Sequence, residues 1–385
     1  MNRIGNHRSG AGRRRMLAIA TAGAVALGMG AWGVLPSGAA TRSGSRRLIS
    51  VDFANYEDSG PLFVGMQQGI TSAAKRLRVK LHIYNNNASA ETTLNNAKTM
   101  VLDRPDVVFE YDPVASVGAR LGQVFSSAGV KCIAVNIPFS GCPQFNQTEV
   151  ALAAQMGEQM AKLMHKRGWT GKNTTVVIMD HPQDGPAIND FVWKCYTSLA
   201  ARVPNMTKIP LSQLTGSTTT IGQTGLQIDG GNTETSAYSA FQAGLASIPK
   251  QRNVVLFTID DVYTIPAYRA LVHDGRQKHA MISGFGASAT ALKALRTNPD
   301  WVLEGDSFFS QWGEFLMAMG QALLNGAKPP KLTLAPEIAL SKRNLKAFYA
   351  DGATNARLLP RLPKVDNYIV KTGVLQKFHN VEGIK

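Results

Sequence analysis

From residue 48 onward, short apolar runs alternate with amphipathic stretches of helical period. "RLISVDFA" (47–54) reads as a strand, and "PLFVGMQQGITSAAKRLR" (61–78) as a helix. "VKLHIYN", "PDVVFEY" and "VKCIAVNI" follow as strands, separated by the helical stretches "AETTLNNAKTMVLD" and "ASVGARLGQVFSSAG". Strands alternating with helices in this way predict βαβ units on a parallel sheet.

The cycle breaks at "IPFSGCPQFN" (137–146), where Pro, Gly and Ser cluster, and then starts again. A long helix, "TEVALAAQMGEQMAKLMHKRG", leads into the strand "NTTVVIMD". Two successive helices are expected next, "AINDFVWKCYTSLAARV" and "TSAYSAFQAGLASIPK". The strand "NVVLFTID", the helix "PAYRALVHDG", the strand "HAMISGFG", the helix "ATALKALRT" and the strand "WVLEGDSF" complete the second set. The fold class expected is therefore α/β, with two doubly wound parallel-sheet lobes. Two domains also fit the length, because single hydrophobic cores rarely grow beyond roughly 250–300 residues.

The first forty residues stand apart. Arg3, Arg8 and Arg13–Arg15 precede the uncharged "MLAIATAGAVALGMGAWGVL", and small residues follow at 38 and 40. This order predicts a secretory signal peptide spanning 1–40 and cleaved after Ala40. The Arg13-Arg14 pair also fits a twin-arginine signal, so export by either route places the mature chain in the periplasm. An uncleaved anchor is the competing reading, since twenty apolar residues can span a bilayer.

Composition changes the picture in two ways. Without residues 1–40, 36 basic residues face 26 acidic ones, a formal charge of +10. The positives are interleaved with acids, with no basic block of the kind that follows a phosphate backbone, so nucleic acid is not an expected partner. The three cysteines are an odd number for an exported chain. Cys132, in a strand, reads as a small buried residue, whereas Cys142 and Cys195 are open to pairing with each other, a question spacing does not settle.

Catalytic motifs are not found. "GASAT" (286–290) lacks the second glycine of a nucleophile elbow, "GWTGKN" (168–173) is too short for a phosphate-binding loop, and the seven histidines are scattered. Neither an enzyme activity, a cofactor nor a metal is expected. One chemical feature remains: Asp260 and Asp261, adjacent where an apolar run becomes helical. They fit a catalytic pair, a metal site, a helix cap or a clasp for a hydroxylated ligand.

The ordered set "RLISVDFANYEDSGPLFVGMQQGITSAAKRLRVKLHIYNNNAS", "PDVVFEYDPVAS", "GVKCIAVNIP", "NVVLFTIDDVYTIPAYRAL", "ISGFGAS" and "SFFSQWGEFLMAMGQALLNGAKPP" resembles the type I periplasmic binding proteins, the ribose-binding group that serves ABC importers. The resemblance covers about residues 48–330. It implies two lobes joined by three hinge crossings, near 137, 306 and 333, with ligand held in the cleft between them. One lobe would be 48–137 plus 308–330, and the other 138–305 plus 331–385.

The resemblance also implies site residues. Asp260 falls where the family carries a ligand-binding Asn or Asp, and Asn136 at the family's ligand-binding Asp. Tyr56 and Phe63 fall where it places aromatic rings, Asn189 or Asp190 where an Arg is usual, and Ser307 or Asp306 where a Gln lies at a crossing. Adjacent residues in an extended segment point to opposite sides, so Asp260 is expected to face the cleft while Asp261 caps a helix beginning near Ile265. Gly286 and Ile137 replace the family's usual Asp and Arg, so the ribose-specific polar set is not reproduced.

The function so implied is capture of a small sugar or polyol by a monomer, for delivery to the membrane subunits of an ABC permease. Presentation of ligand to a chemoreceptor or histidine kinase is the alternative. Repressors of the lactose-repressor type share the fold but need a helix-turn-helix where this chain has its leader.

Overall fold

The computed structural model describes residues 47–384, apart from 148, 149 and 232. The expected signal peptide lies outside these residues. Among them, no helix is long and apolar enough to cross a membrane.

The first lobe begins with β1 (Ser50–Asn55), α1 (Pro61–Leu77), β2 (Lys80–Asn85), α2 (Ala90–Asp103), β3 (Val107–Asp112), α3 (Gly118–Ala128), β4 (Cys132–Asn136) and β5 (Gln144–Asn146). The second contains α4 (Val150–Lys166), β6 (Thr174–Asp180), α5 (Pro186–Ala200), β7 (Thr220–Ile221), β8 (Gly225–Asp229), α6 (Glu234–Ala246), β9 (Asn253–Thr258), α7 (Asp261–His273), β10 (Ala280–Phe285), α8 (Ala289–Thr297) and β11 (Trp301–Asp306). The chain then makes α9 (Trp312–Leu324), β12 (Leu332–Leu334), β13 (Ile338–Leu340), α10 (Leu345–Phe348) and α11 (Asn367–Val370).

The strands form two sheets, in the orders β12-β5-β4-β3-β1-β2 and β13-β11-β10-β9-β6-β8-β7. All pairs are parallel except β11–β13 and β7–β8. Every residue of β3, β6, β9 and β10 is buried, which is why apolar residues run consecutively through the middle of β6 and β9 and the start of β3 rather than alternating with polar ones. In each sheet the order reverses beside the first strand, between β1 and β3 and between β6 and β9. Ligands of open α/β sheets bind at such switch points, outside the carboxyl ends of the strands.

The lobe boundaries differ from those expected. β5 pairs with β4, and β12 pairs with β5, so residues 144–146 and 332–334 belong to the first sheet. The crossings therefore run between Asn146 and Val150, from Asp306 into α9, and between β12 and β13. A boundary at 137 failed because the "SGCP" turn is a loop inside the first lobe.

α9 returns to the first lobe and packs against α1 so closely that two glycines are required. A Cβ on Gly69 would lie 2.0 Å from the Ser310 carbonyl oxygen, and one on Gly313 2.6 Å from Ile70 Cα.

The C-terminal extension makes a further passage between lobes. Its first part joins the second lobe: Tyr349 donates to Asp306 Oδ2 at 2.6 Å, and Arg296 donates to the Ala350 and Ala353 carbonyls. Its last part lies on the first. Tyr368 and Thr333 Oγ1 share a 2.5 Å bond, Asn380 donates to Glu314 Oε1 at 2.9 Å, and the Arg76 guanidinium sits over the Phe378 ring.

Two local expectations are also corrected. β8 separates the two helices read as consecutive; its Gln227 and Asp229 interrupt the apolar pattern that would have marked a strand. The disulfide joins Cys132 to Cys142, with Cα atoms 5.1 Å apart, while Cys195 is buried in α5 outside it. The pairing of Ala134 with Gln144 explains this, because it brings the residues two positions earlier on each strand side by side.

Candidate ligand-binding cleft

On the first lobe, Asn55 ends β1 fully buried. Its amide donates to the Phe63 carbonyl at 3.2 Å and to Gln67 Oε1 at 3.3 Å, which ties the loop after β1 to α1, and its Oδ1 has no partner among the described residues. Gly60, at φ +81, turns that loop, and Pro61 starts α1 at the position where a missing N–H costs least. The turn brings three rings together: Phe63 lies with its centroid 5.7 Å from both Tyr56 and Tyr111. Tilted pairs at this separation are favourable, and half-buried Tyr56 and Phe63 leave ring surface that can stack on C–H groups of a sugar.

Asn136 ends β4 at φ +76, a left-handed conformation uncommon outside glycine. Its carbonyl accepts a close hydrogen bond from Gln144 Nε2. Strained non-glycine residues cluster at ligand sites, and this one stands at the carboxyl edge of the first sheet. Its neighbour in register, Asp112, is taken up by the fold: its carboxylate accepts from Thr93 Oγ1 at 2.8 Å and Val114 N at 2.7 Å, and burial holds its pKa up.

On the second lobe, the capping role expected of Asp261 falls to Asp260. Asp260 is the helix cap: its Oδ1 accepts the Val262 amide at 2.8 Å, and α7 begins at Asp261 rather than near Ile265. Asp261 is 3% exposed and turned inward, where Oδ2 accepts the Ser288 amide at 2.9 Å. The second residue of a helix start points back into the fold, so extended-chain geometry did not apply to it. Beside Asp261 lies Glu304, fully buried, accepting from Trp301 Nε1 at 2.9 Å and Ala287 N at 3.1 Å. Burial, then the charge of Asp261, pushes Glu304 well above the usual carboxyl range.

Asp260 is only half-buried in the static surface, and capping occupies one of its oxygens. Desolvation first, then the charge of Asp261, raises its pKa to about 7. The carboxylate of Asp184 adds to that shift and also raises the Tyr263 and Tyr56 phenols. Tyr56 follows β1 in the first lobe and Asp184 follows β6 in the second, each at the carboxyl end of a strand beside its sheet's switch point.

Other expected residues are placed differently. Asn189 is buried, and its amide brackets His181, accepting from the backbone N–H at 3.3 Å and donating to the carbonyl at 2.8 Å. Asp306 is buried too, with Oδ1 on the Phe308 amide at 2.7 Å and Oδ2 on Tyr349. Both side chains are hydrogen-bonded to the fold in this arrangement. Ser307 is fully buried, and its Oγ has no partner among the described residues. Asp190 lines, with Pro182, Trp193, Leu211 and Thr215, a recess of about 510 Å³ formed by second-lobe residues alone. Sequence reading missed Asp184, and its one available signal was its place just after the carboxyl end of β6.

The sequence matches the periplasmic binding protein domain over residues 51–328, and the chain belongs to that family. Its fold is the type I fold of that family. It is similar to an ABC transporter periplasmic solute-binding protein from Actinobacillus succinogenes 130z with bound D-allose, at TM-score 0.64 and 15% identity over 78% of this chain and 100% of the other. It is similar to a Bacillus halodurans C-125 solute-binding protein with bound myo-inositol, at TM-score 0.64 and 12% identity over 80% and 99%. A Mycobacterium smegmatis protein in complex with β-D-fucofuranose aligns at TM-score 0.61 and 17% identity over 78% and 93%. No curated protein matches the sequence. The family's members bind substrates, typically without catalysis.

Proposed function

We propose that the protein is an exported, monomeric solute receptor that closes its lobes on a small sugar or polyol and delivers it to the membrane subunits of an ABC importer. The observation that carries this reading is the placement of Tyr56 directly after β1 and of Asp184 just after β6, at the carboxyl ends of the strands that flank the two switch points. One wall offers the faces of Tyr56 and Phe63, and the other offers carboxylates that accept hydroxyl hydrogen bonds, which are stronger for a charged acceptor. Asn136, Asp260 and Ser307 supply the remaining polar contacts, with Asp190 at the margin. The three solved relatives described above hold hydroxylated solutes, which supports the same class here.

Closure needs torsional change only in the crossings, which leaves both sheets intact. Thermal melting of the mature protein against sugars and polyols tests the reading. A true ligand at 100 times its dissociation constant adds about 2.7 kcal/mol of stability. A panel in which no sugar, polyol or derivative raises the melting temperature would refute it.

A further inference from the structure

Resting on the receptor reading, we propose that the captured solute is cationic: an amine-bearing sugar or polyol whose ammonium group sits among Asp184, Asp260 and Asp229. The chain as a whole carries an excess of basic residues, yet its cleft does not. Asp180 ends β6 and Asp229 ends the adjacent β8, in register with each other. Asp184 follows β6 and Asp260 follows β9 on the same edge of the sheet. Their charges act on one another: Asp229 on Asp180 and Asp184, and Asp184 on Asp260. Glu57 and Asp112 add negative charge from the first lobe, acting with Asp184 on the Tyr56 phenol.

Little opposes this. Among the described residues, the one basic side chain acting on the group is His181, whose Nδ1 lies 3.0 Å from Asp229 Oδ1. The Lys and Arg ion pairs among the described residues are elsewhere, with Glu158, Asp274, Glu234 and Asp351. Asp180 supplies an independent observation. It is fully buried, its Oδ2 accepts from Trp193 Nε1 at 3.0 Å and Gln227 Nε2 at 2.8 Å, and its Oδ1 has no partner among the described residues.

A buried carboxylate oxygen with no donor, on a strand end in register with a second aspartate, is a costly arrangement for an empty or neutral site. A neutral hydroxyl satisfies one oxygen and leaves the mutual repulsion in place. An ammonium group supplies three donors and cancels charge at the same time. It also favours ionisation of the acids around it, because an opposite charge within about 4–6 Å stabilises the charged carboxylate.

The test is calorimetric titration with matched pairs: glucose and glucosamine, galactose and galactosamine, myo-inositol and an aminocyclitol. At least one amine member should bind roughly tenfold tighter than its neutral parent, the ratio expected when a charge-assisted bond replaces a neutral one. The advantage should disappear in Asp184→Asn and in 0.5 M salt should shrink. A neutral parent that binds as well as its amine overturns the cationic assignment and leaves the receptor reading standing. An amine advantage unchanged in both Asp184→Asn and Asp260→Asn also overturns it, because the charge recognised would lie elsewhere. If no amine member binds while a neutral sugar or polyol of the melting panel does, the cationic assignment fails and the receptor reading stands; if nothing in that panel binds either, the receptor reading itself fails.

Discussion

The carboxylate of Asp261 receives the backbone N–H of Ser288 at 2.9 Å, across the loop that follows β10. This contact locks the start of α7 to the start of α8, and in the proposed receptor Asp260, one residue earlier, is the acid at the edge of the cleft. Neighbouring acids thus divide between fixing the second lobe and presenting charge.

Replacing Asp260 by Asn separates cap from charge. Asn caps helices as well as Asp, so Asp260→Asn should keep the bond to Val262 and melt within a degree or two of the parent. Losing a charged acceptor should weaken ligand binding by roughly 1–2 kcal/mol. Asp260→Ala, by contrast, should lose both, with about 1 kcal/mol of stability lost with the cap. Titration and melting of the two variants check this; normal binding by Asp260→Asn would remove the residue from the site.

Gly284 is bound to the Asp261–Glu304 pair by space. A Cβ there would lie 2.5 Å from Glu304 Oε2 and 2.8 Å from Asp261 Oδ1, with Thr264 Oγ1 also in the way. Gly284→Ala should therefore cost about 1–3 kcal/mol in chemical denaturation, the range for overpacking a tight interior. Gly129→Ala, at an open helix end but φ +65, provides a comparison in which strain acts without crowding.

The fold was legible where burial imposes a period. β3, β6, β9 and β10 are buried at every position and mostly apolar because both faces are covered, with polar residues chiefly at their ends, and α1 and α4 carry apolar residues at helical spacing. β8 was not, because buried Gln227 serves Asp180 rather than the core, and a polar residue in a strand looks like a loop. The disulfide was missed because partner choice depends on the β4–β5 register. Of the proposed cleft residues, the positions of Tyr56 after β1, Phe63 in the first turn of α1 and Asp260 after β9 were legible. The bonds that Asn189 and Asp306 make to the fold were not, since a polar residue near a cleft reads the same whether it faces ligand or a backbone group. Asp184, in a short turn with no periodicity, gave almost no signal.

Stability should rise on mild acidification. Burial lifts Asp180, Asp260, Asp306 and Glu314 to about 7, and Asp52, Asp261 and Asp366 to about 6. Their unfolded values are about 4, so between pH 4 and 7 the native state binds more protons than the unfolded state. Stability then falls as pH rises through that window. Melting temperature should be higher at pH 5.5 than at pH 8. A flat or opposite profile would mean that these carboxyls are paired or solvated in solution.

The Cys132–Cys142 bridge closes a loop spanning 10 residues. On the chain-entropy account a loop of this length stabilises by about 2–3 kcal/mol. The double variant Cys132→Ser/Cys142→Ser should unfold at correspondingly lower denaturant, while Cys195→Ser should leave disulfide content unchanged in mass analysis. A free thiol at 132 or 142 in protein recovered from an oxidising compartment would contradict the pairing.

The last prediction concerns the C-terminal segment. Tyr349 donates to Asp306 at 2.6 Å, and its ring stacks on Phe308 with centroids 6.3 Å apart, where the chain leaves β11 for the first lobe. Tyr349→Phe keeps the stacking and removes one donor from a fully buried carboxylate. Asp306 would retain only the Phe308 amide, so the expected cost is about 1–3 kcal/mol. The sign with pH is specific. Asp306 titrates at about 7, and the missing donor matters most when the group is charged. The penalty should therefore be larger at pH 8 than at pH 5.5, and Asp306→Asn should reduce the effect of the second substitution in a double-mutant cycle. Denaturation of the four proteins at both pH values measures it. Equal stability of Tyr349→Phe and parent at pH 8 would show that the segment is not held to the second lobe by this bond.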